Sequence, residues 1–215
     1  MIRAGKIRVN GKTASVGDEV SGKEDIIIDG QILLVKKSPG KKVLAFYKPR
    51  GVECSLSAVH AARTLLNFDF GADRVFPIGR LDNESHGLLL LTNDGALGNR
   101  LAQPGPEHEE EYLVAVKGVA TSEMLARLAR GVTLERKKTA PCRVEHLADK
   151  RLRFILHDGR NRQIRKMCEA VGLHVEDLLR VRIGAIELDT LAEGEWRSLN
   201  DAEFQALKKE EALSR

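Results

Sequence analysis

The chain has 215 residues, 42% of them hydrophobic and 31% charged, with a formal net charge of +4. That composition is expected of a soluble globular protein with one substantial core, or a core with a small appendage. No stretch approaches the roughly 18 consecutive apolar residues of a membrane span, and the start MIRAGKIRVNGK lacks a signal-peptide apolar region, so a cytoplasmic protein without a membrane partner is expected.

Chemistry is bounded by what is missing. Cys54, Cys142 and Cys168 are odd in number and far apart, which suits neither a disulfide framework nor a C-x-x-C zinc site. The six histidines show no H-E-x-x-H spacing, and the chain carries no G-x-x-x-x-G-K-[ST] or G-x-G-x-x-G loop. No metal or cofactor is therefore expected. Charge is unevenly placed: residues 1–50 hold 11 Lys and Arg against 5 Asp and Glu, and residues 151–182 hold 8 against 4. Two basic segments on a nearly neutral body suit a polyanion partner, although a solvated charged face accounts for either one alone.

In chain order, Ile7 and Val9 alternate into the turn Asn10-Gly11, and Ile26–Ile28 run into Asp29-Gly30. Both are hairpin signals, so a small β-rich unit over residues 1–36 is expected, followed by a basic linker over 37–42 and a larger domain over 43–215. Val43–Tyr47 reads as a strand and Pro49–Gly51 as a turn, and the apolar run Leu88–Leu91 suits a central strand. Asp94 is a helix N-cap for GALGNRLAQ, which ends before Pro104. A strand over Glu111–Lys117 and an amphipathic helix over TSEMLARLARG follow, the latter with Leu125, Leu128 and Val132 on one stripe.

The last third reads as the strand LRFILHDG, then the helix NRQIRKMCEAVG capped by Asn161, with Ile164, Met167 or Cys168, and Val171 facing the core. In LLRVRIGAIEL, alternation puts Val181 and Ile183 inward and Arg180 and Arg182 outward, and Gly184-Ala185 reads as a β-bulge. Strands alternating irregularly with single helices give an α+β fold with a mixed, mainly antiparallel sheet and flanking helices.

Arg80 and Asp82 lie two residues apart just ahead of Leu88–Leu91, a rigid support of the kind a reaction centre needs. Alone, such a pair is more often an ordinary loop ion pair. Taken together, GRLDNESHGLLLLTNDG at 79–95, EYLVAV at 111–116 and DGRNRQIRKMCEAVG at 158–172 resemble the three signature blocks of the RsuA-type RNA pseudouridine synthases. FYKPRGV at 46–52 and GEWRSLN at 194–200 resemble the same family, and VFPIGRLD with HEEEYLV is nearest its RluF branch.

The resemblance implies isomerisation of a uridine to pseudouridine in structured RNA, ribosomal RNA first and transfer RNA as the alternative, without a cofactor; a monomer is expected. By that resemblance Asp82 matches the essential aspartate, Tyr112 the tyrosine that stacks on the target base, and Arg165 the basic residue that pairs with the aspartate. Arg80 matches the arginine that fills the vacancy left by the flipped uridine, and Ile183 falls on the apolar wall of the pocket. Arg162, Lys166, Arg180 and Arg182 are expected RNA contacts. His86 and His108 are read as loop residues. The N-terminal hairpins look like a shortened S4-like RNA-binding unit.

Two other classes compete. A non-catalytic RNA-binding or ribosome-assembly protein would have no need to keep Asp82, Tyr112 and Arg165 together. A glycosidase would need Asp82 and Glu84 about 5 to 9.5 Å apart on opposite sides of a sugar ring; residues two apart in one loop can reach the shorter distance but rarely flank a sugar, and the basic clusters would be idle.

Overall fold

The computed structural model describes residues 1–18, 20–21, 23–33, 40–57, 63–71, 74–102, 109–147 and 150–213, the last six as backbone alone. Residues 37–39 of the expected linker, the end of the helix before Pro104, and His108 lie outside the described residues. The chain forms two compact units, Met1–Gly40 and Lys41–Arg215.

The first unit is a sheet in the order β2-β1-β3-β4, from β1 (Ile7–Val9), β2 (Lys12–Thr13), β3 (Ile26–Ile28) and β4 (Gln31–Leu33). Both tight turns take left-handed backbone at two successive residues, Asn10 and Gly11 with φ of 48° and 78°, and Asp29 and Gly30 with φ of 51° and 83°. This is the mirror-image turn whose twist matches a two-residue hairpin, and Asn-Gly and Asp-Gly are the pairs that adopt it.

The second unit contains β5 (Val43–Lys48), β6 (Phe76–Ile78), β7 (His86–Thr92), α1 (Gly95–Leu101), β8 (Glu110–Lys117), α2 (Ser122–Ala129), β9 (Thr133–Leu134), β10 (Lys137–Lys138), β11 (Arg143–His146), β12 (Arg151–Leu156), α3 (Gln163–Glu169), β13 (His174–Ile183), β14 (Ile186–Glu187), β15 (Trp196–Ser198) and α4 (Asp201–Leu213). One sheet runs β11-β12-β8-β13-β7-β5-β15, with β6 added on β7 and β14 on β13, and β9 and β10 form a separate hairpin. Among the described strands of this sheet the β13–β7 pairing alone is parallel, so the α+β fold with a mixed, mainly antiparallel sheet is the one observed.

The leucine run of β7 is explained by its place near the middle of this sheet. Leu88 and Leu90 pack into the apolar cluster that includes Ile78, Ile183 and Leu207, while Leu89 and Leu91 enter a cluster with Phe46, Val52 and Phe70. A strand covered on both faces loses the polar positions of a half-exposed one. Leu89 is fully buried, and Leu89→Ala is expected to lower unfolding free energy by about 2–5 kcal/mol, read as a shift in denaturant midpoint at constant slope.

Besides His86, which opens β7 opposite Leu179 rather than standing in a loop, three expectations are corrected. The N-cap of α3 is Arg162, in left-handed backbone with φ 53° and no capping side chain, rather than Asn161. Gln163, the first helical residue, instead ties down the preceding turn: its Oε1 accepts from Arg160 N at 2.9 Å while its Nε2 donates to Asp158 Oδ1 at 3.0 Å. Gly184-Ala185 is no bulge but the two-residue turn of the β13–β14 hairpin, with Ile183 opposite Ile186.

The third correction follows from register. Along β13, Arg180 stands opposite Tyr112 but Arg182 opposite Glu111, so the extra residue Val181 forms a bulge that resets the alternation. Arg180 and Ile183 consequently share one face, with Tyr112 and Glu110 facing them across the pair. Arg180 is therefore buried, at 2% exposure, rather than turned to solvent.

Candidate active site

The residues between β6 and β7 form a hairpin connection that carries Arg80, Asp82, Glu84 and Ser85. It is tied down along its length. Leu81 N donates to Cys54 Sγ and the thiol donates back to Leu81 O, each at 3.3 Å. Gly51 N donates to Asn83 O at 2.8 Å, and Ser85 N to Asp82 O at 3.1 Å. The loop runs into β7 at Gly87, whose φ of 108° and position against β13 admit no side chain: a Cβ would lie 2.2 Å from Arg180 O. This close approach lets the parallel β7–β13 pair bring the Asp82 loop beside Arg180 and Tyr112.

Under the neighbouring turn lies Lys48, fully buried, its ammonium donating to Pro49 O at 2.7 Å and Val52 O at 2.8 Å. Burial pulls its pKa down from 10.5 to about 8. Between those values the unfolded chain holds a proton that the folded chain has released, so stability rises with pH across about 8 to 10.5. Chemical denaturation over that range is expected to show the rise in the wild type and a smaller one in Lys48→Met; equal slopes would contradict it.

Opposite the loop, α3 presents two arginines. Arg162 donates to Glu84 Oε2 at 2.9 Å and stands 3.9 Å from Asp82 Oδ2. Arg165 donates to Ser85 Oγ at 3.1 Å and to Glu84 O at 3.4 Å, with its Nε 3.8 Å from Glu84 Oε2. The cation within 4 Å of Asp82 is thus Arg162, while Arg165 clamps the end of the loop. The left-handed start of α3 brings both guanidinia over the same turn. The bond from Arg162 holds the Glu84 carboxyl below its ordinary pKa.

On the sheet face beneath, Tyr112 is buried and donates its hydroxyl to Glu110 Oε2 at 2.6 Å. Arg180 holds the other oxygen of that carboxylate at 2.8 Å, donates to Leu88 O at 2.7 Å, and lies 3.5 Å from the phenol oxygen. Burial first, and then the Glu110 charge, push the Tyr112 phenol well above its ordinary range.

Asp82, Tyr112, Arg165, Arg80, Arg162 and Ile183 all line one cavity of about 370 Å³, together with Glu110, Leu178, Arg160 and the Asp158–Gly159 turn. The three remaining basic residues do not. Lys166 bonds Glu135 at 2.6 Å. Arg182 bonds Glu111 at 3.0 Å, Glu109 at 3.2 Å and Gly184 O at 2.8 Å on the opposite sheet face. Arg180 lies under the cavity floor. Reasoning from sequence missed Glu110, Lys48 and Cys54; for Glu110 the two-residue spacing from Tyr112 on a strand was the available signal.

The cavity thus sets the Asp82, Glu110 and Asp158 carboxylates, a buried phenol and several guanidinia around one space of about 370 Å³. Residues 42–170 match the family model for RNA pseudouridylate synthase. The chain belongs to this family. Among pseudouridine synthases, the dual-specificity RNA pseudouridine synthase RluF of Escherichia coli (strain K12) is 38% identical over 208 residues, covering 97% of this chain and 71% of the relative. Ribosomal large subunit pseudouridine synthase B of Bacillus subtilis (strain 168) is 37% identical over 216 residues, covering 97% of this chain and 87% of the relative. A crystal structure of a pseudouridylate synthase superposes with a TM-score of 0.73 at 31% identity, over 96% of this chain and 90% of the other.

Proposed function

We propose that this pseudouridine synthase acts on a uridine of large-subunit ribosomal RNA, with Asp82 as the reacting carboxylate. The observation that carries the assignment of roles is the convergence of Asp82, Tyr112 and Arg165 on one cavity in a chain of this family. The reaction breaks the N1–C1′ bond, turns the uracil and rejoins it through C5, with no change of redox state. A stacked base is out of reach, so the nucleotide is extruded at a cost of a few kcal/mol. Stacking on the Tyr112 ring returns about 1–3 kcal/mol.

Asp82 serves as nucleophile or base at the floor of the loop. Arg162 offsets its charge, and Arg165 holds the loop that aims it. Arg80 and Arg162, both exposed at the cavity, meet the RNA backbone and the gap left by the flipped base. Ile183 supplies apolar wall. The unit Met1–Gly40 is an S4-like RNA-binding element that adds phosphate contacts through its exposed Arg3, Lys6, Arg8, Lys12 and Lys23. The name of the Bacillus relative supports a large-subunit target.

Pseudouridine mapping of total RNA from cells with and without the gene tests the reading. Loss of a large-subunit site, restored by the wild-type chain and not by an Asp82→Ala chain, is the expected result. Loss confined to transfer RNA would replace the target, and an unchanged map would contradict the activity.

A further inference from the structure

We infer that Glu110 is a positioning residue and proton acceptor for Tyr112, the pair acting as a two-step relay that removes the C5 proton of the turned base. The inference rests on the reading of function above and adds a residue and a step to it.

The geometry is specific. Glu110 and Tyr112 are two apart on β8, hence on one sheet face, and both line the cavity. The phenol donates to Glu110 Oε2 at 2.6 Å, while Arg180 takes Oε1 at 2.8 Å and fixes the carboxylate so that its second oxygen stays on the phenol. Arg180 is itself immobilised by Leu88 O at 2.7 Å and by burial. A carboxylate at this position does more than the stacking role of the ring requires, because an apolar ring face stacks without its hydroxyl being held.

The chemistry needs such a partner. After the base has been rejoined through C5, that carbon carries both the sugar and its original hydrogen, and the hydrogen must leave as a proton. The C5–H electron pair forms the C5–C6 double bond, and the C6–N1 double-bond electrons move to N1, which takes a proton from solvent. Tyr112 is buried, with its pKa driven upward, so it does not supply a phenolate at neutral pH. A neutral phenol accepts a proton at its oxygen only by giving up the one it holds. Glu110 Oε2 stands where that proton is delivered, and it later returns to solvent as the pair resets. One proton is lost from C5 and one gained at N1, with no other reactant.

The test is single-turnover conversion of large-subunit rRNA transcripts made with uridine or with 5-deuterouridine, using wild type, Glu110→Gln, Tyr112→Phe and the double variant. Glutamine has one acceptor oxygen for the two donors, the Tyr112 hydroxyl and the Arg180 guanidinium, and cannot take the proton; the isotope effect separates loss of the relay from a displaced ring. Glu110→Gln is expected to slow conversion by about 10²-fold, leave RNA affinity unchanged, and raise the deuterium isotope effect above that of the wild type. Tyr112→Phe should raise the isotope effect likewise, and the double variant should be no slower than the slower single one. An unchanged rate in Glu110→Gln, or a slower rate with no rise in isotope effect, would overturn the relay. Should Glu110→Gln fail to fold, Glu110→Asp decides, since it keeps the negative charge beside Arg180 but withdraws the carboxylate from the phenol; an unchanged rate and isotope effect in that variant would overturn the relay. A wild-type chain that forms no pseudouridine removes the functional reading and the relay together; an active wild type with indifferent variants removes the relay alone.

Discussion

Asp82→Asn is expected to lower the rate of pseudouridine formation by at least about 10⁴-fold, the scale on which loss of a reacting side chain acts. It should leave the unfolding free energy within about 0.5 kcal/mol of wild type, as for substitutions away from the core. The second half follows from how the loop is held. Asp82 is partly exposed, and the ion pair it makes among the described residues is a 3.9 Å approach to Arg162. The backbone around it is fixed by other groups: the Cys54 thiol on Leu81, Gly51 on Asn83, and Arg165 on Glu84 O and Ser85. Asparagine preserves the size of the side chain and removes only its charge, its basicity and its nucleophilicity. RNA affinity should persist, because the cations around the cavity remain. An Asp82→Asn chain that keeps wild-type turnover on an RNA the wild type modifies would exclude Asp82 as the reacting group.

Much of this arrangement is legible in the residues because it is encoded locally. Asn10-Gly11 and Asp29-Gly30 need no tertiary context to turn, Asp94 caps α1 through bonds to Ala96 N at 3.1 Å and Leu97 N at 3.3 Å, and Leu88–Leu91 announce a strand covered on both faces. The meeting of Asp82, Tyr112 and Arg165 was expected through the resemblance of whole blocks, since none of the three is distinctive by itself. What escaped depends on pairing between distant strands. Alternation assigns Arg180 to solvent until the register against β8 inserts Val181 as an unpaired residue, and nothing in LLRVRIG marks which residue is skipped. Gly184-Ala185 is read as a bulge because Ile183 and Ile186 share a face across an even gap of two residues; that gap is the turn of a hairpin in which the two isoleucines pair, and the bulge lies upstream at Val181. Arg162 escaped differently, because a left-handed arginine at a helix start is unfavourable locally and is held by what its side chain and Gln163 bond.

Arg180 and Lys166 look alike in the sequence, two cations in one basic segment, yet their removal should differ sharply. Arg180→Ala is expected to destabilise the fold by about 3–5 kcal/mol, the usual consequence of removing one partner of a buried charged pair. Three losses combine: the bond to Leu88 O at 2.7 Å, the partner of Glu110 at 2.8 Å, and the volume of a side chain that is 2% exposed. Even in the intact protein the Arg180 Nη2 group is buried without a hydrogen-bond partner among the described residues, so the site carries a desolvation cost that its other bonds offset. Lys166 reaches Glu135 at 2.6 Å, but that carboxylate is 78% exposed, and Lys166→Ala should cost no more than about 1 kcal/mol. Because the damage in Arg180→Ala comes partly from the stranded Glu110 carboxylate, adding Glu110→Gln should restore part of the loss, so that the double variant is more stable than the sum of the single effects predicts. Denaturant midpoints of the four chains and the wild type measure this coupling. Purely additive losses would mean that Arg180 acts through volume and its bond to Leu88 alone, and that the guanidinium does not hold the carboxylate against Tyr112.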